Sequence, residues 1–222
     1  MNADDLGHSA AVNAGIRDAR HRGIVKSASL MVLRPAAEEA AEFARAEPDL
    51  SVGLHVDLGE WTYREVEWTA LYETEVGEVA GSIRGQLDAF RALTGRNPTH
   101  IDSHQHAHLR EPARSLVAAL GRELEVPVRH LDSRTRYSGS FYGQTAEGDP
   151  LPDAITVKAL LDLFTSLPEG TTEICCHPGK GEIPGSSYGP ERQRELDALC
   201  DPRVPEGLVS SGIELISFHE VR

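Results

Sequence analysis

What most constrains this chain is a repeated order. Apolar, β-rich runs alternate with helical stripes, and four of the runs give out in acidic or histidine-rich segments: NADD at 2–5, GLH at 53–55, HIDSHQHAH at 100–108 and CHPG at 176–179. Such alternation favours a parallel α/β sheet or barrel over a sandwich or a bundle. In those folds chemistry gathers at the carboxyl ends of the strands. A site spread over four strand ends is assembled by the fold, and its donor types point to a metal-dependent enzyme.

The elements follow from periodicity and punctuation. From Ser9, a candidate N-cap, Val12, Ile16 and Ala19 recur at helical spacing until Gly23. SASLMVL at 27–33 reads as a strand, 36–47 as a helix ended by Pro48, and LSVGLHVDL at 50–58 as a strand. Ser51, Gly53, His55 and Asp57 share one face of that strand; in a barrel this small, polar row turns to the lumen and sets His55 at the mouth. Residues 59–72 break the pattern with Trp61, Tyr63 and Trp68, which either rim a pocket or cover a barrel end.

A helical stripe follows from Val76 to Phe90, then a strand at 99–104, a helix at 112–124 and a short strand at 126–131. The Gly-, Ser- and Tyr-rich stretch 132–152 is too long for an ordinary connection and is expected to be functional or mobile. A helix at 155–167, a strand at 172–176, a helix at 190–200 and a last strand at 213–218 complete the pass. The result is about seven strands alternating with six helices in a single domain over 1–222, a parallel α/β barrel that is closed or incomplete. MNADD leaves about two residues for the first strand, where buried strands run about five or six, so that strand is very short or the natural start lies upstream.

A net charge of −13, from 22 basic and 35 acidic residues, opposes docking on nucleic acid or anionic lipid. A small, neutral substrate suits it better. No apolar stretch approaches the roughly 20 residues of a membrane span and no basic-then-apolar signal segment opens the chain, so a cytoplasmic protein without membrane partners is expected. Cys175 and Cys176 are adjacent in a strand and point to opposite faces, which argues against a disulfide framework among the three cysteines.

Adjacent Asp4 and Asp5 repel unless a cation or a shared proton relieves them. With Asp5 on a divalent metal, Asp4 stays beside it as a base; otherwise they cap a helix or sit solvated in a turn. His55 is a ligand or a hydrogen-bonded core residue. His104, His106 and His108, with Asp102 before them, share one strand face if the chain stays extended. An open three-ligand site cannot take them all, so some touch substrate or hold the ligands from behind. His177 shares a strand face with Glu173 and Cys175 and is a general acid or a structural histidine at a tight turn. Lys180 and Arg192 meet a phosphate or sugar hydroxyl, or are ordinary surface charge.

Taken together, NADDLG, GIVKSASLMV at 23–32, VGLHVDL at 52–58, PTHIDSHQHAH at 98–108, CHPG at 176–179 and the later Tyr188, Arg192, Glu195 and Leu196 resemble the YdjC family of carbohydrate deacetylases. The resemblance implies a distorted, incomplete (β/α) barrel and a divalent metal held by Asp5, His55 and His104, with magnesium or zinc first and manganese or cobalt also suited. It further implies Asp4 as general base and His177 as general acid. Asp102, His106, His108 and Arg192 are then left for substrate or for supporting the ligands. The implied reaction is hydrolysis of the N-acetyl group of an acetylated amino sugar or short chitooligosaccharide, phosphorylated or not, with release of acetate; a homodimer is compatible with it. The chain departs from the family in having LG after NADD and GEWTYR after VGLHVDL, which leaves the sugar open. Competing readings are an amidohydrolase-like or phosphoester hydrolase acting on another small substrate, and a non-catalytic carbohydrate-binding protein.

Overall fold

The computed structural model describes residues 1–65, 67–181, 183, 186 and 188–221. Its frame is a curled, open sheet of six parallel strands: β1 (Asn2–Leu6), β2 (Ser27–Leu30), β3 (Ser51–Val56), β6 (Ile101–Ser103), β7 (Arg136–Ser138) and β8 (Thr172–Cys176). They lie in the order β6-β3-β2-β1-β8-β7, which is sequential around a barrel left open between β6 and β7. This is the incomplete barrel the sequence suggests. An antiparallel hairpin, β4 (Gly59–Arg64) with β5 (Glu67–Glu73), stands apart from the sheet.

Among the described residues seven α-helices surround the frame: α1 (Ala10–Arg22), α2 (Ala37–Ala46), α3 (Val79–Thr94), α4 (Ala113–Leu124), α5 (Val157–Ser166), α6 (Pro190–Leu199) and α7 (Arg203–Ser210). Ser9 caps α1 by accepting the Val12 amide, as its side-chain chemistry requires. Strands β1, β2, β3 and β6 are buried along their length, with Ala3, Ala28, Leu30, Val52, Leu54, Val56 and Ile101 packed against helix residues such as Ile16, Phe43, Leu87, Phe90 and Val117 in one cluster. Among the described residues no helix is long and apolar enough to cross a membrane.

Two expected strands are absent from the described residues. Among the described residues 126–131 form no strand: Val128 makes one isolated bridge to Ile101, and the chain then turns, Leu131 donating to the Val128 carbonyl. Residues 213–218 form no strand either, because β1 and β8 already pair directly, Asn2 with Cys175 and Ala3 with Cys176, and leave no slot between them. The pattern-breaking 59–72 is the hairpin, and α7 was not anticipated. The long 132–152 stretch is ordered in part, with β7 inside it and a bridge from Gln144 to Pro150. The first strand, five residues long, carries both aspartates within it.

Candidate active site

The carboxyl ends of β1, β3, β6 and β8 converge on a cavity of about 310 Å³ lined by Asp4, Asp5, His55, His104, His106 and His177 among others. Strand alternation alone would send Asp4 and Asp5 to opposite faces. Both reach the cavity because Asp5 adopts a left-handed backbone (φ 65°) and the β1–β2 register slips between Ala3 and Leu6. Gly7 (φ 91°) completes the turn, where a Cβ would come within 2.9 Å of the Met31 carbonyl. A larger depression, about 680 Å³, lies at the opposite strand ends against Met1 and Ile174 and holds none of these side chains.

Asp5 Oδ1 stands 3.4 Å from His55 Nε2 and 3.1 Å from His104 Nδ1, while its other oxygen accepts from Arg192 Nη2 at 2.6 Å. Behind them Asp102 Oδ1 lies 2.7 Å from His55 Nδ1. That contact holds the Nδ1–H tautomer and leaves Nε2 toward Asp5. The donor atoms of Asp5, His55 and His104 all lie within 4.8 Å of one another. One carboxylate and two imidazoles at this spacing suit a divalent cation.

The charge balance points the same way. Buried Asp4, Asp5, Asp102 and Glu173 face two buried guanidinium groups, those of Arg129 and Arg192. Burial pulls the His55 imidazole down, but Asp102 and Asp5 outweigh it and push its pKa up to about 10. The field at Nε2 thus favours a positive charge, which a proton or a metal ion supplies. His104 Nε2 is buried and has no hydrogen-bond partner among the described residues.

Asp4 is held differently. Arg129 grips it with Nη1 to Oδ2 at 2.6 Å and Nη2 to Oδ1 at 2.7 Å, and Asn2 donates to Oδ1 at 2.9 Å. Burial would raise this carboxyl; the Arg129 charge and hydrogen bonds prevail and keep it below the ordinary aspartate value. The same guanidinium reaches Asp102 Oδ2 at 2.8 Å and Glu173 Oε1 from Nε at 2.9 Å. Burial drives Glu173 up to about 7 against that pull.

Across the cavity His177 Nε2 lies 3.8 Å from Asp4 Oδ2. Its amide donates to Glu195, which also accepts from the Tyr188 hydroxyl, and its ring meets Tyr142 and Tyr188 edge to face at 5.2 and 5.5 Å. Burial holds the His177 imidazole down at about 4 and lifts the Glu195 carboxyl to about 8.

The three histidines of 104–108 do not share a face. The strand ends at Ser103, and left-handed Gln105 (φ 48°) and His106 (φ 54°) bend the chain. His104 goes to Asp5; His106 lines the cavity with Nε2 3.2 Å from the Tyr137 hydroxyl. His108 is fully buried, bonded to Ser103 Oγ at 2.6 Å and the Arg129 carbonyl at 3.0 Å, so it braces the Arg129 backbone and touches no substrate space. Arg192 orients Asp5, and Lys180 is a surface charge paired with Asp18. Arg129 escaped the sequence reading. Its one signal was a lone cation in the apolar run VPVRHL, since a buried arginine demands carboxylate partners. His8, also at the cavity, gave none.

Known proteins share this arrangement of chain. A carbohydrate deacetylase of Geobacillus stearothermophilus is 33% identical over 99% of this chain and 96% of its own. A chitooligosaccharide deacetylase of Klebsiella pneumoniae (strain 342) is 29% identical over 100% and 98%. Among solved structures, a putative cellobiose-phosphate cleavage protein of Enterococcus faecalis V583 superposes with a TM-score of 0.79 at 26% identity, covering 98% of this chain and 96% of its own. A family 4 carbohydrate esterase of Streptomyces lividans, solved with acetate, shares the fold at a TM-score of 0.57 and 16% identity, covering 100% and 93%. The model of the YdjC-like protein family matches residues 1–209, and with it the chain belongs to that family.

Proposed function

We propose that this protein is a metal-dependent hydrolase that removes the N-acetyl group of an acetylated amino sugar or short chitooligosaccharide and releases acetate. The observation that carries the reading is the division of one aspartate pair: Asp5 faces His55 and His104, while Asp4 is clamped by Arg129 and lies 3.8 Å from His177. The names of the curated relatives support the same chemistry.

A divalent ion held by Asp5, His55 and His104 supplies Lewis acidity toward the acetyl carbonyl and lowers the pKa of a water. Zinc or magnesium suits the donors first, manganese or cobalt next. Asp4, kept ionised by Arg129, takes the proton of the attacking water as its oxygen bonds to the acetyl carbon. His177 is neutral in the free protein and faces Asp4 through Nε2, so it receives that proton and delivers it to the departing amine as the C–N bond breaks. Asp102 holds the His55 ring with Nε2 turned to the side of Asp5 where the ion would sit, and Arg192 fixes the plane of the Asp5 carboxylate. Among the described residues lining the cavity the one guanidinium, Arg192, is committed to Asp5, which favours an uncharged sugar at the reacting unit.

The test is acetate release from N-acetylglucosamine, short chitooligosaccharides and their phosphates by metal-stripped protein resupplied with zinc, magnesium, manganese or cobalt. Metal-dependent acetate is expected, and Asp4→Asn should lower the rate by ~10²–10⁴-fold while leaving metal content intact. Folded, metal-loaded protein that gives no acetate, or releases phosphate or ammonia instead, would overturn the reading.

A further inference from the structure

We infer that Tyr142 is a further catalytic residue, whose hydroxyl donates a hydrogen bond to the acetyl oxygen of the substrate as that oxygen becomes the tetrahedral oxyanion. The inference rests on the proposed function and adds to it a donor that neither Asp5, His55 and His104 nor the Asp4–His177 pair provides.

Three tyrosines line the cavity: Tyr137, Tyr142 and Tyr188. Two of their hydroxyls are committed. That of Tyr137 lies 2.9 Å from Cys175 Sγ and 3.2 Å from His106 Nε2, and that of Tyr188 donates to Glu195 and accepts from the Gly143 amide at 2.7 Å. The Tyr142 hydroxyl makes no hydrogen bond among the described residues. A polar group at the wall of a cavity with no protein partner is available to a ligand.

The ring that carries it is nonetheless fixed. It stacks on Tyr188 with centroids 4.5 Å apart and planes 4° from parallel, and it meets the His177 ring at 5.2 Å and 68°. Phe141, 1% exposed, roots the chain before it; the Gly143 amide, bonded to Tyr188, and the Gly143 carbonyl, which accepts from the Leu151 amide at 2.6 Å, root the chain behind. A donor held in this way needs no reorganisation when charge develops, which is how oxyanion donors lower a barrier. Burial and then the Asp5 charge push the phenol pKa up, so the hydroxyl keeps its proton and can only share it.

The orientation of the acetamide follows from the roles already given. Its carbon meets a water whose proton goes to Asp4, and its nitrogen turns to His177, which protonates the departing amine. The carbonyl oxygen is then left on the Asp5 side of the cavity, and Asp5 is the charge that acts most strongly on the Tyr142 hydroxyl. As the water oxygen bonds to the acetyl carbon, the C=O π pair moves onto oxygen and the Tyr142 O–H donates to it without losing its proton. When the C–N bond breaks, the pair returns to the carbonyl and the hydrogen bond weakens.

Tyr142→Phe keeps both ring contacts and removes only the hydroxyl. On an N-acetylated sugar it should lower kcat by ~10²-fold with KM and metal content unchanged. An N-trifluoroacetyl sugar bears the oxyanion with less help because fluorine withdraws charge, so the deficit should shrink there to less than ~10-fold, whereas a tyrosine that only packs would depress both substrates alike. Affinity for a methylphosphonamidate of the amino sugar, whose tetrahedral P–O⁻ imitates the oxyanion, should weaken by ~10–10²-fold in the variant. Equal deficits on the two acyl groups, or a variant that matches the wild type in kcat and in analogue affinity, would overturn the inference and leave the deacetylase reading standing. No acetate from the wild type with any metal would overturn that reading and the inference with it.

Discussion

At the scale of single residues, burial of histidine has a measurable consequence for stability. His100 lies over Gly53, where a Cβ would come within 2.5 Å of its ring, stacks on Phe218 at 3.8 Å and places Nε2 3.1 Å from Ser29 Oγ. Burial holds its pKa down at about 4, against 6.5 for an ordinary histidine. Below pH 6.5 the unfolded chain gains a proton that the folded chain refuses until about pH 4. The stability this neutral ring contributes is therefore complete above that window and is lost as pH falls through it, by up to about 3 kcal/mol. Glu173 and Glu195, raised to about 7 and 8, act in the opposite sense: their folded-state protons stabilise below the ordinary 4.5 and that stability is lost as pH rises through the raised values. The wild-type slope is the net of both, so the group is isolated by difference. Between pH 7 and pH 5 the melting temperature of the wild type should fall further than that of His100→Gln, and equal falls would rule out a neutral buried His100.

At the scale of elements, the hairpin is the piece the periodicity did not resolve, and side chains rather than strand pairing attach it to the sheet: the Tyr72 hydroxyl donates to Asp57 and Arg34 donates to Glu60. β4 and β5 pair with each other, and Gln105 joins Trp61 to the turn that carries His104. A hydrogen bond contributes about 1 kcal/mol net, so Gln105→Ala should speed exchange of the Trp61 amide hydrogen by roughly fivefold while the β3 amides stay protected. Unaltered exchange at Trp61 would mean that the Gln105 bridge does not hold this part of the hairpin. The short elements 101–103 and 104–109 teach a related lesson. The run HIDSHQHAH would set three histidines on one strand face if the chain stayed extended past 104, but two left-handed residues turn it, and the three end in three different environments.

At the scale of the whole molecule, the buried Asp5, His55 and His104 couple metal affinity to folding, because they come together only in the folded chain. Zinc or one of its alternatives at a hundredfold excess over its dissociation constant should add about 2.7 kcal/mol, or roughly 5–10 °C in melting temperature, and a chelator should remove it. A melting temperature indifferent to all four metals would sink the metal assignment. The sequence by itself determined the α/β class, most helix positions and the strand ends that would carry Asp4, Asp5, His55, His104 and His177, because hydrophobic periodicity and conspicuous polar residues are local properties. Tertiary structure alone decided which of them meet and in what state. The left-handed turn at Asp5 sends two neighbouring carboxylates into one cavity, and Arg129, 125 positions along the chain from Asp4, holds one of them ionised. Charge pairing across such separations depends on burial and on sheet order, and no local pattern of residues encodes it.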